Sequence, residues 1–115
     1  MSVGTTDDLP ATRLHGEGLQ GVSKRVAISS ADGWEGWVMR VFDVEEGGHT
    51  PRHAHEWPHI NYVVRGTGRL HLDGDDHELA LGAYAFVPAG VTHQFSNAGR
   101  GTFRFICIVP DEGEA

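Results

Sequence analysis

The sequence predicts an all-β fold in a single domain, and three observations support this prediction. No segment of the 115-residue chain shows a sustained apolar period of 3.6 residues with helix caps. Short runs with alternating apolar and polar residues recur along the chain, which is typical of half-buried strands. Sixteen glycines, together with prolines and aspartates, separate these runs at close intervals. About eight short strands with this spacing indicate a sandwich or barrel.

Turn signals separate most of the predicted strands. The predicted strands occupy residues 22–28, 34–44, 60–65, 69–73, 77–81, 83–87, 92–97 and 102–109. The turns between them are predicted at 29–33, 45–48, 66–68, 74–76, 82 and 88–90, where glycine, aspartate or proline recurs. The chain is accordingly divided into an N-terminal arm (1–21), one folded domain (22–110) and an acidic tail (111–115).

Composition excludes several classes of function. The net charge is −7 and no cluster of lysine and arginine appears, which argues against nucleic acids and anionic membranes as partners. No apolar run reaches membrane-spanning length, and the N-terminus lacks the features of a signal peptide. The single cysteine, Cys107, excludes an internal disulfide and fits a reducing compartment. A soluble, cytoplasmic protein is therefore expected.

Three histidines within seven residues form the clearest candidate site. His53 and His55 are two residues apart, so in an extended segment they point to the same side, and His59 follows four residues later. Neutral imidazole is the commonest protein ligand for divalent transition metals. On spacing alone, a metal site is no better supported than surface histidines in a loop or hydrogen-bonded histidines in the core.

Two longer motifs surround these histidines. The first has five residues between Gly47 and His53, one between His53 and His55, three before His59 and six before Gly66. Fifteen residues then separate Gly66 from the second motif.

The second motif begins at Gly82. Five residues separate Gly82 from the turn at 88–90, two more precede His93, and three more precede Asn97. In this order and spacing, the two motifs resemble those of the cupin superfamily in its compact, single-domain bacterial arrangement.

The resemblance implies a cupin jelly-roll barrel (a double-stranded β-helix) that holds one divalent transition metal per chain. The implied ligands are His53, His55, His59 and His93. Most cupins have a glutamate where this chain has His59. In this respect the chain is similar to the small four-histidine cupins of the manganese type, which share the H-x-H-x-W-x-H pattern at 53–59 and the F-x-C pattern at 105–107.

The implied ligand set has chemical consequences. Four neutral ligands leave the ion its full double charge, and reactions that need the family glutamate for proton transfer are not expected. Mn(II) or Fe(II) is favoured, and Zn, Ni, Co or Cu is compatible with four imidazoles. Glu56 is expected to face solvent, because its offset of one residue turns it away from His55.

The alternation of side chains along a strand also predicts which of them line a pocket and which face outward. With His59 inward, Ile60, Tyr62 and Val64 face outward, and an apolar outer row needs a cover. The resemblance implies a homodimer as that cover, and the chain's own N-terminal arm is the alternative. The residues expected to line the pocket are Arg40, Asn61, Phe86, Phe95, Phe105 and Cys107.

Two of these residues have alternative interpretations. Cys107, which the resemblance places near the metal with Phe105, is either a redox-sensitive thiol or a small buried apolar residue. Arg40 either faces the pocket and binds an anionic substrate or is an ordinary exposed arginine.

The expected function is that of a metal-dependent oxygenase or oxidoreductase, for example a dioxygenase, that acts on a small organic substrate. Two alternatives remain open at this point. One is a non-enzymatic cupin that binds a small molecule or a metal. The other is an isomerase or lyase that uses the metal as a Lewis acid without oxygen. The expected partners are a small-molecule ligand and a second copy of the chain, with no nucleic acid and no membrane.

Overall fold

Nine β-strands form a nearly closed barrel in the computed structural model, which describes residues 1–114. The strands are β1 Thr12–Arg13, β2 Gln20–Ile28, β3 Trp37–His49, β4 His59–Arg65, β5 Gly68–Leu72, β6 Asp75–Leu79, β7 Tyr84–Val87, β8 His93–Asn97 and β9 Phe103–Pro110. Three short 3-10 helices lie at Thr6–Asp8, Ser30–Asp32 and Asp111–Gly113. The all-β prediction is confirmed.

The sheet has the order β6-β5-β8-β3-β9-β4-β7, and β2 joins it by pairing with β3 and with β1. All these pairs are antiparallel. The long strand β3 pairs with β2 from Met39 to His49, with β9 over Trp37–Val44 and with β8 at His49. It therefore belongs to both halves of the barrel, and the core lies between them.

Side chains at alternate strand positions fill this core. On β4, His59, Asn61 and Val63 are buried while the residues between them are exposed. On β9, buried and half-buried residues alternate over the whole strand. The buried residues of β9 are Phe103, Phe105, Cys107 and Val109. These are the faces that the period-two pattern predicted for β4 and β9.

Two strand boundaries differ from the prediction because of local backbone geometry. β3 does not end at 45–48 but continues to His49, with Gly47 at a φ of +74° and a register shift in its pairing with β2. Such an irregularity lets the strand continue past a glycine pair that the sequence reads as a turn. The β5–β6 turn lies at Asp73 and Gly74, both with positive φ, so β6 begins at Asp75, earlier than predicted.

The N-terminal arm packs on the outside of the barrel. Its strand β1, which the sequence did not predict, pairs with β2. An ion pair of 2.9 Å joins Asp7 to Arg104, and Arg25 Nε donates a 3.2 Å hydrogen bond to the carbonyl oxygen of Leu9. The arm thereby covers the outer face of β3 and β9 and leaves the outer face of β4 and β7 open.

The predicted tail, 111–115, begins with the 3-10 turn at Asp111–Gly113, and Ala115 lies outside the described residues. Among the helices of residues 1–114, none has the length and apolar character needed to cross a membrane.

Candidate metal centre

Four histidines converge inside the barrel from both of its halves. His59 opens β4 and His93 opens β8, and both are buried. His53 and His55 lie in the segment between β3 and β4 and reach the same cavity. The backbones of His53 and His93 exchange two hydrogen bonds, of 3.1 and 2.8 Å, which fasten this segment to β8.

The distances between the rings are short. Ring centroids lie 4.3 Å apart for His53 and His55, 4.8 Å for His55 and His93, and 4.8 Å for His59 and His93. One nitrogen from each of His53, His55 and His93 lies within 4.8 Å of the others. The Nε2 atoms of His59 and His93 are 3.2 Å apart. The structure thus brings together the four histidines that the sequence motifs single out.

Hydrogen bonds determine which nitrogen of each buried ring carries the proton. His93 Nδ1 lies 2.9 Å from the carbonyl oxygen of Val91, which can only accept, so Nδ1 carries the hydrogen. His59 Nδ1 lies 2.6 Å from Asn61 Oδ1 and also donates. The Asn61 amide is held in this orientation because its Nδ2 donates to the carbonyl oxygen of Ile106.

With both Nδ1 atoms protonated, the two Nε2 atoms are acceptors that face each other at 3.2 Å. Two facing lone pairs repel each other unless a cation or a proton lies between them. Fixing the tautomer through Nδ1 is also the usual way in which proteins orient histidine ligands. The donor set therefore fits a divalent transition metal.

Burial keeps these imidazoles neutral. The pKa of His59 is lowered to about 3, first by burial and then by the neighbouring His93 and His55. The pKa of His55 is lowered to about 4 by burial and by the neighbouring His53 and His93. The pKa values of His53 and His93 are also lowered, mainly by burial. Neutral imidazole is the form that binds metals, so the cluster is ready for an ion at neutral pH.

The histidines line a cavity of about 300 Å³. Three phenylalanines pack beside them: Phe105 stacks on Phe95 at 4.3 Å and on Phe42 at 5.4 Å. Trp57 stacks on His55 at 4.8 Å and 13°. The other lining residues are Leu14, Leu19, Val22, Arg40, Thr50, Pro51, Cys107 and Gly113.

Most of the predicted pocket residues lie at this cavity, and two do not. Arg40, Phe95, Phe105 and Cys107 line it. Asn61 lies behind His59, where it orients the ring. Placing Phe86 in the pocket was wrong: it is 59% exposed on the outer face of β7.

The pairing of β7 explains the error. Phe86 lies opposite the outward-facing Ile60 of β4, while the smaller Ala85 takes the inward position opposite Asn61. Side chains opposite each other in an antiparallel pair share a face, so Phe86 must point outward with Ile60.

Three polar residues in or near the motifs have environments that differ from that of the histidine cluster. Glu56 is exposed, as the sequence predicted. His71 pairs with Asp76 at 2.9 Å on the β5–β6 hairpin. Asn97 donates to the carbonyl oxygens of Val44 and Gly101 and accepts from the Gly99 amide, so it organises a turn.

Sequence reasoning missed several cavity residues. Trp57 shares the alternate positions of His53, His55 and His59, and this parity could have identified it. Leu14, Leu19 and Gly113 come from the arm and the tail, and no local pattern indicates that these segments fold back over the cavity.

Comparisons with known proteins agree with this architecture. Residues 40–109 match the family described as the cupin domain. The polyketide cyclase RemF from Streptomyces resistomycificus is 32% identical, with a TM-score of 0.87 over 96% of this chain and 79% of that chain. A cupin 2 conserved barrel domain protein from Rhodopseudomonas palustris is 26% identical, with a TM-score of 0.80 over 90% and 72% of the two chains.

A more distant structure shares the fold. It is described as a predicted oxalate decarboxylase from Thermotoga maritima, is 21% identical and has a TM-score of 0.85 over 95% of this chain and 98% of that chain. None of the curated proteins compared with the chain matches it significantly. Because the cupin domain match spans more than half of the sequence and agrees with the jelly-roll barrel, the chain belongs to the cupin family.

Proposed function

We propose that the protein is a cupin metalloenzyme that binds one divalent transition metal through His53, His55, His59 and His93. The observation that carries this proposal is the pair of Nε2 atoms of His59 and His93, which face each other at 3.2 Å with their Nδ1 protons engaged elsewhere. We favour Mn(II) or Fe(II), and four imidazoles also suit Zn, Ni, Co or Cu.

The substrate is proposed to be a small organic molecule with a substantial apolar part. Phe42, Phe95 and Phe105 offer a stacked aromatic wall, and their packing leaves about 300 Å³ beside the histidines. Among residues 1–114, no carboxylate belongs to the cavity lining itself, although Glu114 contacts the lining residue Arg40 at 3.4 Å. We therefore favour substrates that ionise readily by themselves, such as enolisable carbonyl compounds and phenols.

Two reactions suit such a site. A bound divalent ion supplies Lewis acidity toward a carbonyl or enol oxygen, and Mn(II) or Fe(II) also supports reactions with dioxygen. Similarity to the polyketide cyclase RemF at 32% identity favours the first, an oxygen-independent cyclisation or lyase-type reaction. The all-histidine set, which leaves the ion its full charge, favours the second, an oxygenase or dioxygenase reaction.

Metal content tests the proposed centre. Protein purified without a histidine tag is expected to contain close to one transition metal ion per chain by mass spectrometry. His93→Ala removes one of the two facing Nε2 atoms and is expected to weaken metal binding at least about tenfold. His77→Ala, at an exposed histidine of β6, is the matched control. A His93→Ala variant with full metal content, or a metal-free wild type after reconstitution, contradicts the proposal.

Oxygen dependence then separates the reactions. Metal-loaded protein is incubated with β-polycarbonyl compounds and phenols, with and without dioxygen. Turnover that survives strict anaerobiosis supports the Lewis-acid reaction, and turnover coupled to oxygen uptake supports the oxygenase. Saturable binding with no turnover of any substrate contradicts the proposal of an enzyme and indicates a binding module.

A further inference from the structure

A buried arginine in the cavity lacks a good partner among residues 1–114. Arg40 projects inward from β3, its side chain is 12% exposed, and its guanidinium lies 4.9 Å above the ring of Phe42. A charged group in an apolar cavity is costly unless an opposite charge and hydrogen bonds compensate it. The partners of Arg40 therefore indicate what this position is built to bind.

The partner present is a carboxylate from the end of the chain. Glu114 Oε1 lies 3.4 Å from Arg40 Nη1, and Glu114 Oε2 lies 2.9 Å from Lys24 Nζ. Lys24 and Glu114 are 21% and 24% exposed, so the two cations flank one partly buried carboxylate. Two positive charges and one negative charge leave this cluster with a net positive charge.

The contact between Glu114 and Arg40 is weak. Arg40 Nη1 is shared between Glu114 and the carbonyl oxygen of Gly113, which lies 3.2 Å away, and Nη2 contacts Cys107 Sγ at 3.1 Å. Within residues 1–114, Arg40 Nε is buried and has no hydrogen-bond partner. A guanidinium binds a carboxylate best through two parallel N–H donors, and Glu114 uses only one.

The segment that supplies Glu114 lies outside the barrel strands. β9 ends at Pro110, and Asp111–Gly113 forms a single 3-10 turn that brings Glu114 to Arg40. Movement of this turn leaves every strand pair of the barrel intact. A ligand can therefore displace the Glu114 side chain without breaking a strand pair.

We infer that Arg40 and Lys24 form a subsite for the carboxylate of the substrate, and that Glu114 occupies this subsite when no ligand is bound. The ligand class is a small organic acid: its carboxylate pairs with Arg40 through two donors, and its apolar body lies against Phe42 and Phe105. This inference rests on the proposed function because it names the substrate class of the same cavity. The subsite itself consists only of side chains and does not need the metal.

Binding of benzoate and of its neutral isostere benzamide tests the inference by titration calorimetry. Glu114→Gln removes the competing charge, and benzoate is expected to bind about three- to tenfold more tightly to it than to wild type. Glu112→Gln, at an exposed carboxylate on the same turn, is the matched control and is expected to bind benzoate as wild type does.

Arg40 variants test the cation directly. Arg40→Met is expected to lose the preference for benzoate over benzamide, by about tenfold or more. Arg40→Lys keeps the charge without the planar fork and is expected to lie between wild type and Arg40→Met. Because Arg40→Lys preserves the charge in the cavity, it keeps the test informative if Arg40→Met does not fold.

Three outcomes overturn the inference: equal benzoate affinity in Glu114→Gln and Glu112→Gln, no preference for benzoate over benzamide in Glu114→Gln, or no benzoate binding to Glu114→Gln up to about 10 mM. Every titration is run on metal-loaded and on metal-free protein. Arg40-dependent benzoate binding in a protein that takes up no metal refutes the metal centre and leaves the subsite. Metal uptake without Arg40-dependent benzoate binding refutes the subsite and leaves the metal centre.

Discussion

At the scale of single residues, the histidine cluster couples folding to protonation. Burial lowers the pKa of His59 to about 3 and of His55 to about 4, whereas an unfolded histidine titrates near its usual value of about 6.5. Between these values the unfolded chain binds more protons than the folded chain. The free energy of unfolding of the metal-free protein must therefore fall as the pH falls below about 6.5.

We predict that metal-free protein loses stability between pH 7 and pH 5, with His59 alone contributing roughly 1–2 kcal/mol to the loss. His59→Gln removes that titration and is expected to flatten the dependence, measured by urea unfolding at the two pH values. The carboxylate of Asp43, whose ordinary pKa of 3.8 is lowered in the fold, loses its stabilising charge only at lower pH. A loss of stability in His59→Gln as large as in wild type contradicts the prediction, and His77→Gln controls for the removal of an exposed histidine.

The sequence predicted the identity of the clustered histidines better than their environment. Alternation places His59 and Asn61 on one face, so both were expected inside. The hydrogen bond from His59 Nδ1 to Asn61 Oδ1 depends on the Asn61 amide being held by the carbonyl oxygen of Ile106 on β9. That contact joins residues far apart in sequence, and no local pattern contains it.

At the scale of elements, the strands were predictable and their faces only in part. β4 and β9 alternate as their sequences do, whereas β7 turns its large side chains, Tyr84 and Phe86, to the outside and its small residue Ala85 inward. Its apolar pattern alone suggests the opposite assignment. The face is fixed by pairing with β4, which is a property of the sheet and not of the strand.

The start of β5 gives a steric prediction. A Cβ atom at Gly68 would lie 2.2 Å from Phe103 Cζ and 2.3 Å from Phe103 Cε2, and Phe103 is fully buried. Gly68→Ala therefore forces the ring to move inside a packed core and is expected to destabilise the protein by about 1–3 kcal/mol in urea unfolding. Gly16→Ala, where a Cβ meets no atom within 4 Å, is the control. Equal stability of the two variants contradicts this account of the core.

At the scale of the whole molecule, the two ends of the chain complete what the barrel begins. The arm supplies Leu14 and Leu19 to the cavity lining, and the tail supplies Gly113 and places the Glu114 carboxylate against Arg40. Both ends looked polar and loose in the sequence, because a few lining residues spread over irregular backbone produce no periodic signal. The candidate ligands could be predicted from motif spacing, but the closure of the cavity could not.

The arm leaves one apolar surface uncovered. Ile60 and Tyr62 of β4 lie directly opposite Phe86 and Tyr84 of β7, and all four side chains are exposed on the outer face; we call them the β4–β7 patch. β7 is also the last strand in the sheet order, with no further partner among residues 1–114, so its outer backbone edge is open. Exposed apolar side chains beside an open strand edge favour association with another chain.

We therefore predict a homodimer that buries the β4–β7 patch of both copies. Phe86→Glu places a charge in the middle of the patch and is expected to shift the protein from dimer to monomer in sedimentation velocity, while metal content stays at the wild-type level because Phe86 points away from the histidines. Ala31→Glu, in the exposed turn between β2 and β3, adds the same charge elsewhere and is expected to remain dimeric. A wild type that sediments as a monomer at every concentration, or a Phe86→Glu variant that stays dimeric, excludes this patch as the interface, because the charge would then meet no partner surface.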